Sequence, residues 1–512
     1  MSRPESAFVA AMVSLVLSGC ATSALEMAPA RPDSPWTPAT DDHGEIIAGA
    51  KAPSQQEAGT SFTLPSNPAL GNVPAPPEID TEHAYSLAEL IDIAQSNNSL
   101  TRTAWNHARE AALAAGIARS AYLPNLSASV VGGYQRSHDN NSALGLNVSG
   151  NDSAHGVVSA LSLQWLLFDF GERTAVLDAA QQGSVISNIA FTAAHQQVIY
   201  QVSLAYYAEG AARSRVETAA RALKNAEAVQ TAAEARHAHG VGTVIEVAQA
   251  RQVTAQAQLL KVQADGAAED AYLALITAMG ISPLTHITVA AIPERKLPDS
   301  VSDSIEHIVA DALGRRPDVL AAYAAERASQ ANIRAARAEF MPKLFLSATG
   351  AYNDNHLGVT AIPAFGQQST STTNLTGNRL GVTVFAGITV PVYDGGLRKA
   401  VLEQARAKAD SARVEMTHTR EEAVRQIVTA QNALRTSVSA YNASTSLNLA
   451  SQTTFDAAFE AYRNGVGSIT DVAVAESQLL QSQNAATDAY SGSLSAAATL
   501  ALSVGALGSA PL

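Results

Sequence analysis

Two hydrophobic periods take turns along the chain. After Pro342, the residues Leu344, Leu346, Ala348, Gly350 and Tyr352 alternate with Lys343, Phe345, Ser347, Thr349 and Ala351. A clearer run follows, with Leu380, Val382, Val384, Ala386, Ile388 and Val390 set between Gly381, Thr383, Phe385, Gly387 and Thr389. Apolar residues alternating with small or polar ones predict strands with one apolar face. The same pattern occupies residues 126–134 and 157–165, with Leu161, Leu163 and Trp165 on the apolar side. The stretches Gln135–His155 and Asn353–Asn378 are rich in Asn, Ser, Thr and Gly, and read as surface loops between the strands of each pair.

The other period is helical. Glu172–His239 contains no proline and predicts one helix of about 100 Å at ~1.5 Å per residue. No globular core is that thick, so the helix needs partners along its length. Val244–Met279 supplies one, returning antiparallel after a glycine turn, and Leu397–Asn464 with Ile469–Val504 repeats the arrangement. These segments mix Ala with Glu, Gln, Arg and Lys and hold little Leu, a composition for closely packed coiled-coil hairpins.

Three landmarks recur in order. Tyr122-Leu123-Pro124-Asn125-Leu126 is echoed by Phe340-Met341-Pro342-Lys343-Leu344, Asp169-Phe170-Gly171 by Asp394-Gly395-Gly396, and Gly240-Val241-Gly242 by Gly465-Val466-Gly467. The offsets are 342 − 124 = 218, 394 − 169 = 225 and 465 − 240 = 225. An internally duplicated chain is expected, with halves at 83–302 and 303–505 and a tail at 506–512. Each half contributes a helix, a strand pair and a long hairpin. Four strands cannot close a barrel, and open edges are not tolerated in lipid, so several chains must associate. Three copies would give twelve strands, although this arithmetic does not fix the number.

The amino-terminal region changes the picture. Ala7–Leu17 is apolar, too short to span a bilayer, and has the length of a signal-peptide core. The following Leu17-Ser18-Gly19-Cys20 resembles the lipobox of bacterial lipoproteins. That resemblance implies a signal peptide at 1–19 and a fatty-acylated Cys20 as lipid attachment to the outer membrane, since Ala21 rather than Asp follows. Residues 20–82 are rich in Pro, Ala, Ser and Gly and read as an extended tether. Cys20 is the only cysteine of 512 residues, which excludes an intrachain disulfide. A net charge of −13 without a long Lys/Arg run argues against a nucleic-acid partner. His-Glu-x-x-His, Gly-x-Ser-x-Gly and phosphate-loop patterns are missing, so neither an enzyme nor a cofactor is expected. His237 and His239, two apart, do not face one another on a helix and suggest no metal pair.

Taken together the chain resembles the TolC-like outer-membrane efflux proteins, in particular the lipoprotein branch that works with resistance-nodulation-division pumps. The resemblance covers roughly 85–505. It is carried by Arg315-Arg316-Pro317-Asp318-Val319, by Val390-Pro391-Val392-Tyr393-Asp394-Gly395-Gly396 and by Tyr462-Arg463-Asn464-Gly465-Val466-Gly467-Ser468. It implies a mainly α fold with membrane β: a homotrimer with a twelve-stranded outer-membrane barrel continued by a periplasmic α-barrel. It further implies that the tips Gly240, Val241, Gly242, Gly465, Val466 and Gly467 dock on a periplasmic adaptor protein that recruits an inner-membrane efflux pump. Turn-making by the glycines is the plainer reading of these positions. Tyr462 and Asp471 stand where the family closes its periplasmic mouth, and Glu246 lies six beyond Gly240 as Asp471 lies six beyond Gly465. Either acid could instead simply favour a helix start. The chain departs from some relatives at Val474, where a second acid would follow, which suggests a single acidic ring or a different latch. Alternatives to efflux are the exit duct of a type I protein-secretion system and a non-transporting structural lipoprotein.

Overall fold

The computed structural model describes residues 28, 32, 36, 38–50, 62–71, 79–80, 82–143, 146–293, 297, 305–353, 359–360, 374–375 and 380–508. Cys20 and the expected signal peptide lie outside them. The chain divides into two compact units, Met1–Ile79 and Asp80–Leu512. In the first, strand β1 (Pro38–Thr40) pairs antiparallel with β2 (Ile46–Ala50). The Asp41 carboxylate organises their turn by accepting the N–H groups of His43 and Glu45 at 2.9 and 2.8 Å. Part of the stretch read as an extended tether is therefore a small hairpin, which begins on Pro38 and otherwise falls in the proline-free run from Ala39 to Ala52.

The second unit opens with β3 (Ala84–Tyr85), α1 (Leu87–Asn97) and α2 (Ser99–Ser120). Strands β4 (Asn125–Ala143) and β5 (Leu146–Phe168) follow, then α3 (Glu172–Ala238), α4 (Val244–Met279) and β6 (Thr288–Val289). Next come α5 (Ile305–Leu313), α6 (Pro317–Ala338), β7 (Lys343–Asn353) and the short β8 (Val359–Thr360) and β9 (Asn374–Leu375). β10 (Leu380–Thr389), α7 (Leu397–Arg463) and α8 (Ile469–Ser503) complete it. Among the described residues the fold is mainly α with one four-stranded sheet and three two-stranded ones. The long helices α3 and α7 have 67 residues each, and no proline or helix-ending glycine interrupts either. Among the described residues no helix is long and apolar enough to cross a membrane.

The sheet is antiparallel throughout, in the order β10-β7-β5-β4. Its register gathers the alternating apolar sets onto one face. Val384 lies opposite Ala348, Ala348 opposite Leu163, and Leu163 opposite Leu126. Opposed residues share a face in an antiparallel pair. Leu126, Val130, Leu161, Trp165, Leu380, Val382, Val384 and Ile388 are all exposed there, whereas Ser347 and Thr349 of the other face are buried. That is a globular core turned inside out. On the other face Phe345 lies over Gly387, where a Cβ would meet Cζ at 2.7 Å.

Two expectations change. Residues 135–155, read as a loop, continue both strands, with Gln135 opposite Ala154 and Ala143 opposite Leu146. Once an antiparallel ladder is in register, its backbone groups keep pairing whatever the side-chain polarity, so polar composition alone did not mark the strand ends. Between Asn353 and Leu380, Val359 and Thr360 pair with Leu375 and Asn374.

The helices continue the order of the strands. α2 packs on α3, α3 on α6 and α6 on α7, while α4 returns along α3 and α8 along α7. Each strand-to-helix corner uses the same lock. Asp169 accepts the N–H of Gly171 and of Arg173 at 3.2 and 2.9 Å, and Asp394 accepts those of Gly396 and Arg398 at 3.0 and 2.9 Å. Gly171 and Gly396 sit at φ +94° and +92°, where a Cβ would be strained. The start of each half also grips the end of its own hairpin. Asn98 donates to the Ala278 carbonyl at 3.0 Å, and buried Arg316 donates to the Ser503 carbonyl and to Gln426 Oε1 at 2.7 Å while holding Asp318. The Arg-Pro-Asp segment is thus a clasp on the last helix.

Candidate functional site

The two hairpin tips are built by one set of bonds. At the first, Val241 N–H reaches back to the Arg236 carbonyl at 3.0 Å and Gly240 N–H to that of His237 at 2.9 Å. At the second, Val466 N–H reaches Ala461 at 3.0 Å and Gly465 N–H reaches Tyr462 at 3.1 Å. This is the helix C-terminus that requires a left-handed residue, and Gly240 and Gly465 supply it at φ +77° and +80°. The second glycine of each tip serves a different need. A Cβ on Gly242 would come within 3.0 Å of the His237 nitrogen, and one on Gly467 within 3.1 Å of Ala461 and Tyr462. With turn and close approach both assigned to glycine, the valine between them is left over. Val241 is 67% exposed and Val466 83%, and neither is needed to make the turn.

Each returning helix starts on a hydroxyl. Thr243 Oγ1 accepts the Glu246 N–H, and Ser468 Oγ accepts the Asp471 N–H, both at 3.2 Å. The Asp471 carboxylate accepts the Ser468 N–H at 3.3 Å and the Ser468 hydroxyl, as donor, at 2.7 Å. Asp471 therefore closes a capping box while remaining exposed to solvent. Glu246 follows a different course. Its Oε2 accepts the Tyr462 hydroxyl at 3.3 Å, which ties the first tip to the second.

Tyr462 is the centre of this junction. It is 1% exposed and packs in a cluster with Val229, Ala233, Val247, Ala250, Phe455 and Ile469 from all four long helices. Burial raises its phenol above the usual range, and the Glu246 carboxylate adds to the rise. Arg236 holds the same residue from the other side. Its Nη1 donates to the Tyr462 carbonyl at 2.9 Å, and the guanidinium lies 4.9 Å from the ring centroid. Tyr462, Glu246 and the tips thus come together within the protomer, whereas Asp471 stays on the outside of the junction. Val474 is exposed. His237 Nδ1 lies 3.2 Å from the Gly242 carbonyl oxygen, and His239 is exposed at the helix end.

Arg236 does not stand out by its type or position, because a basic residue in the last turn of a helix is ordinary. A usable signal was present in the repeat. At the offset of 225 its counterpart is Ala461, so the clasp has no equivalent on the other hairpin.

The family described as Outer membrane efflux protein matches residues 90–281 and 308–506. Among curated proteins, Protein CyaE of Bordetella pertussis is 28% identical over 364 residues, 71% of this chain and 72% of that one. Outer membrane protein OprJ of Pseudomonas aeruginosa is 28% identical over 344 residues, 67% and 68% of the two chains. A crystal structure of a membrane protein from Pseudomonas aeruginosa has the same fold, with a TM-score of 0.68 at 24% identity over 82% of this chain and 93% of that one.

Proposed function

The chain belongs to the outer membrane efflux protein family, which makes it an outer-membrane transport protein, and from that membership we propose that it forms the exit duct of a tripartite efflux system. In this reading three copies close a barrel. One observation carries it: the sheet presents a continuous apolar face to the outside and leaves β4 and β10 as open edges. An apolar exterior suits lipid, and the open edges of neighbouring copies would pair to give twelve strands. The helical row α2-α3-α6-α7 follows the strand order, so a ring of sheets brings a ring of helices with it. Those helices would extend into the periplasm, and the two halves, 83–302 and 303–505, would be the products of an internal duplication. Cys20 would carry the fatty acyl anchor after loss of residues 1–19, with the segment to residue 82 leading to the body.

The tips would meet a periplasmic adaptor protein through Val241 and Val466, small apolar knobs between glycines, and the adaptor would bring an inner-membrane pump. The periplasmic mouth would be held shut by the junction of Glu246 and Tyr462, with Arg236 as its clamp. Asp471, repeated by symmetry, would place an acidic ring near the axis and favour cations. Recording the purified full chain in planar bilayers tests the proposal. Stable single-channel steps with cation preference are expected from a species of three copies. A monomeric, electrically silent protein would remove the duct reading.

A further inference from the structure

Glu476 is out of place. It lies on α8 and is 6% exposed, and both carboxylate oxygens are buried without a hydrogen-bond partner. One turn before it is Val472 and one turn after it Leu479, and both, with Ala475 beside it, belong to the apolar cluster that includes Tyr462. A buried carboxylate is normally paired or bonded, since an isolated charge in an apolar setting is costly. Its counterpart at the offset of 225, Arg251 on α4, is exposed and paired with Glu234 at 2.9 Å. The two hairpins therefore differ at this position, as they do at Arg236.

The charged groups nearby are committed elsewhere. On α3 and α4, Glu234 holds Arg251, and on α7 Glu460 holds Arg463 at 2.8 Å while Asp456 accepts from Gln452 at 2.9 Å. On α8 itself Asp471 is occupied by its capping box. At the tip Glu246 faces Tyr462, and Arg236 faces the Tyr462 carbonyl. None of them bonds to Glu476, so within the protomer its charge has no counter-ion and burial favours the protonated form.

We propose that protonation of Glu476 sets how tightly the two hairpins close on one another at the tip. The closed junction is firm when Glu476 carries a proton and loosens when it is ionised. The consequence for conduction rests on the duct reading; the proton switch itself does not.

The direction follows from linkage. Burial pushes the packed carboxyl up to about 7 from 4.5. Closure is therefore fully supported below 4.5 and weakens as the pH rises through 7. Between pH 5.5 and 7.5 the ratio of closed to open junction falls about 20-fold per protomer. A mouth built this way stays shut in an acidified periplasm and yields more readily in neutral surroundings.

Hydrogen–deuterium exchange on the full chain in lipid nanodiscs tests this, following peptides within 229–250 and 455–479 and correcting for intrinsic exchange. Protection there is expected to drop about 20-fold from pH 5.5 to 7.5, while peptides within 172–193 hold steady. In Glu476→Gln, neutral and of the same shape, protection should be flat across that range and equal to the acid value of the unaltered protein. Glu476→Ala should be equally flat, which guards against a packing defect peculiar to Gln. Protection that is flat in the unaltered protein, or that falls in parallel in both variants, overturns the proposal. A 20-fold drop in a protein that passes no current supports the switch and removes the duct.

Discussion

Arg236→Ala takes away one side of the grip on Tyr462. The hydrogen bond from Nη1 to the Tyr462 carbonyl, 2.9 Å long, is charge-assisted but half-exposed, so its loss costs about 1.5 kcal/mol. The guanidinium over the ring, 4.9 Å from its centroid, contributes about 1 kcal/mol more. Against this, Arg236 Nε is buried with no acceptor, and removing it returns about 1 kcal/mol. The balance is about 1.5 kcal/mol, a shift of about tenfold toward the open junction. Arg236→Lys should fall between, because an ammonium keeps the charge but cannot span both the carbonyl and the ring face. Planar-bilayer recording of the open fraction and exchange protection of peptides within 455–479 report the same equilibrium. An unchanged open fraction together with unchanged protection in Arg236→Ala would refute the clamp.

Three further outcomes follow from the same geometry. Val241→Asp combined with Val466→Asp should leave thermal stability within about 0.5 kcal/mol, since both side chains are exposed, yet abolish cross-linking to the adaptor; retained cross-linking counts against docking by the tips. Asp471→Ala should cost about 1 kcal/mol through loss of its capping box and lower the cation preference of the channel. An unaltered preference would leave Asp471 a helix cap and nothing more. On the duct reading, Cys20→Ser should end fatty-acid labelling while trimers still form, because the exposed apolar sheet face would hold the protein in lipid unaided; persistent labelling contradicts the anchor.

The long helices were legible almost to the residue. The sequence predicts Val244–Met279 with the ends it has, and the predicted Glu172–His239 and Leu397–Asn464 each run one residue beyond the helices formed. The reason is local. Gly171, Gly240, Gly396 and Gly465 all adopt positive φ, so the punctuation and the geometry are one thing. The strand faces were equally plain, because Leu380 to Ile388 alternate, with Phe385 as the one large apolar residue on the opposite face. What escaped was non-local. Nothing in Ala84-Tyr85 announces that it pairs in parallel with Thr288-Val289, two hundred residues on. Nor does polarity tell that 135–155 keeps its ladder. At the tips, sequence supplied Tyr462, Glu246 and the glycines but could not say that Tyr462 is buried between hairpins. Arg236 and Glu476 were missed for a shared reason. Both lie where the two hairpins differ from each other, and a repeat marks most clearly the positions its halves share.

The equal length of the 67-residue helices α3 and α7 limits how this chain can change. One inserted residue in either would carry its tip ~1.5 Å further and turn it by about 100°. Tyr462 would swing away from Glu246, and Val466 would face a different direction from Val241. Point substitutions can accumulate along these helices, but insertions and deletions cannot be absorbed singly. They must come as matched changes in all four arms, or be confined to segments outside the hairpins. The helices thus act as a measured span, set by the number of residues more than by their identity.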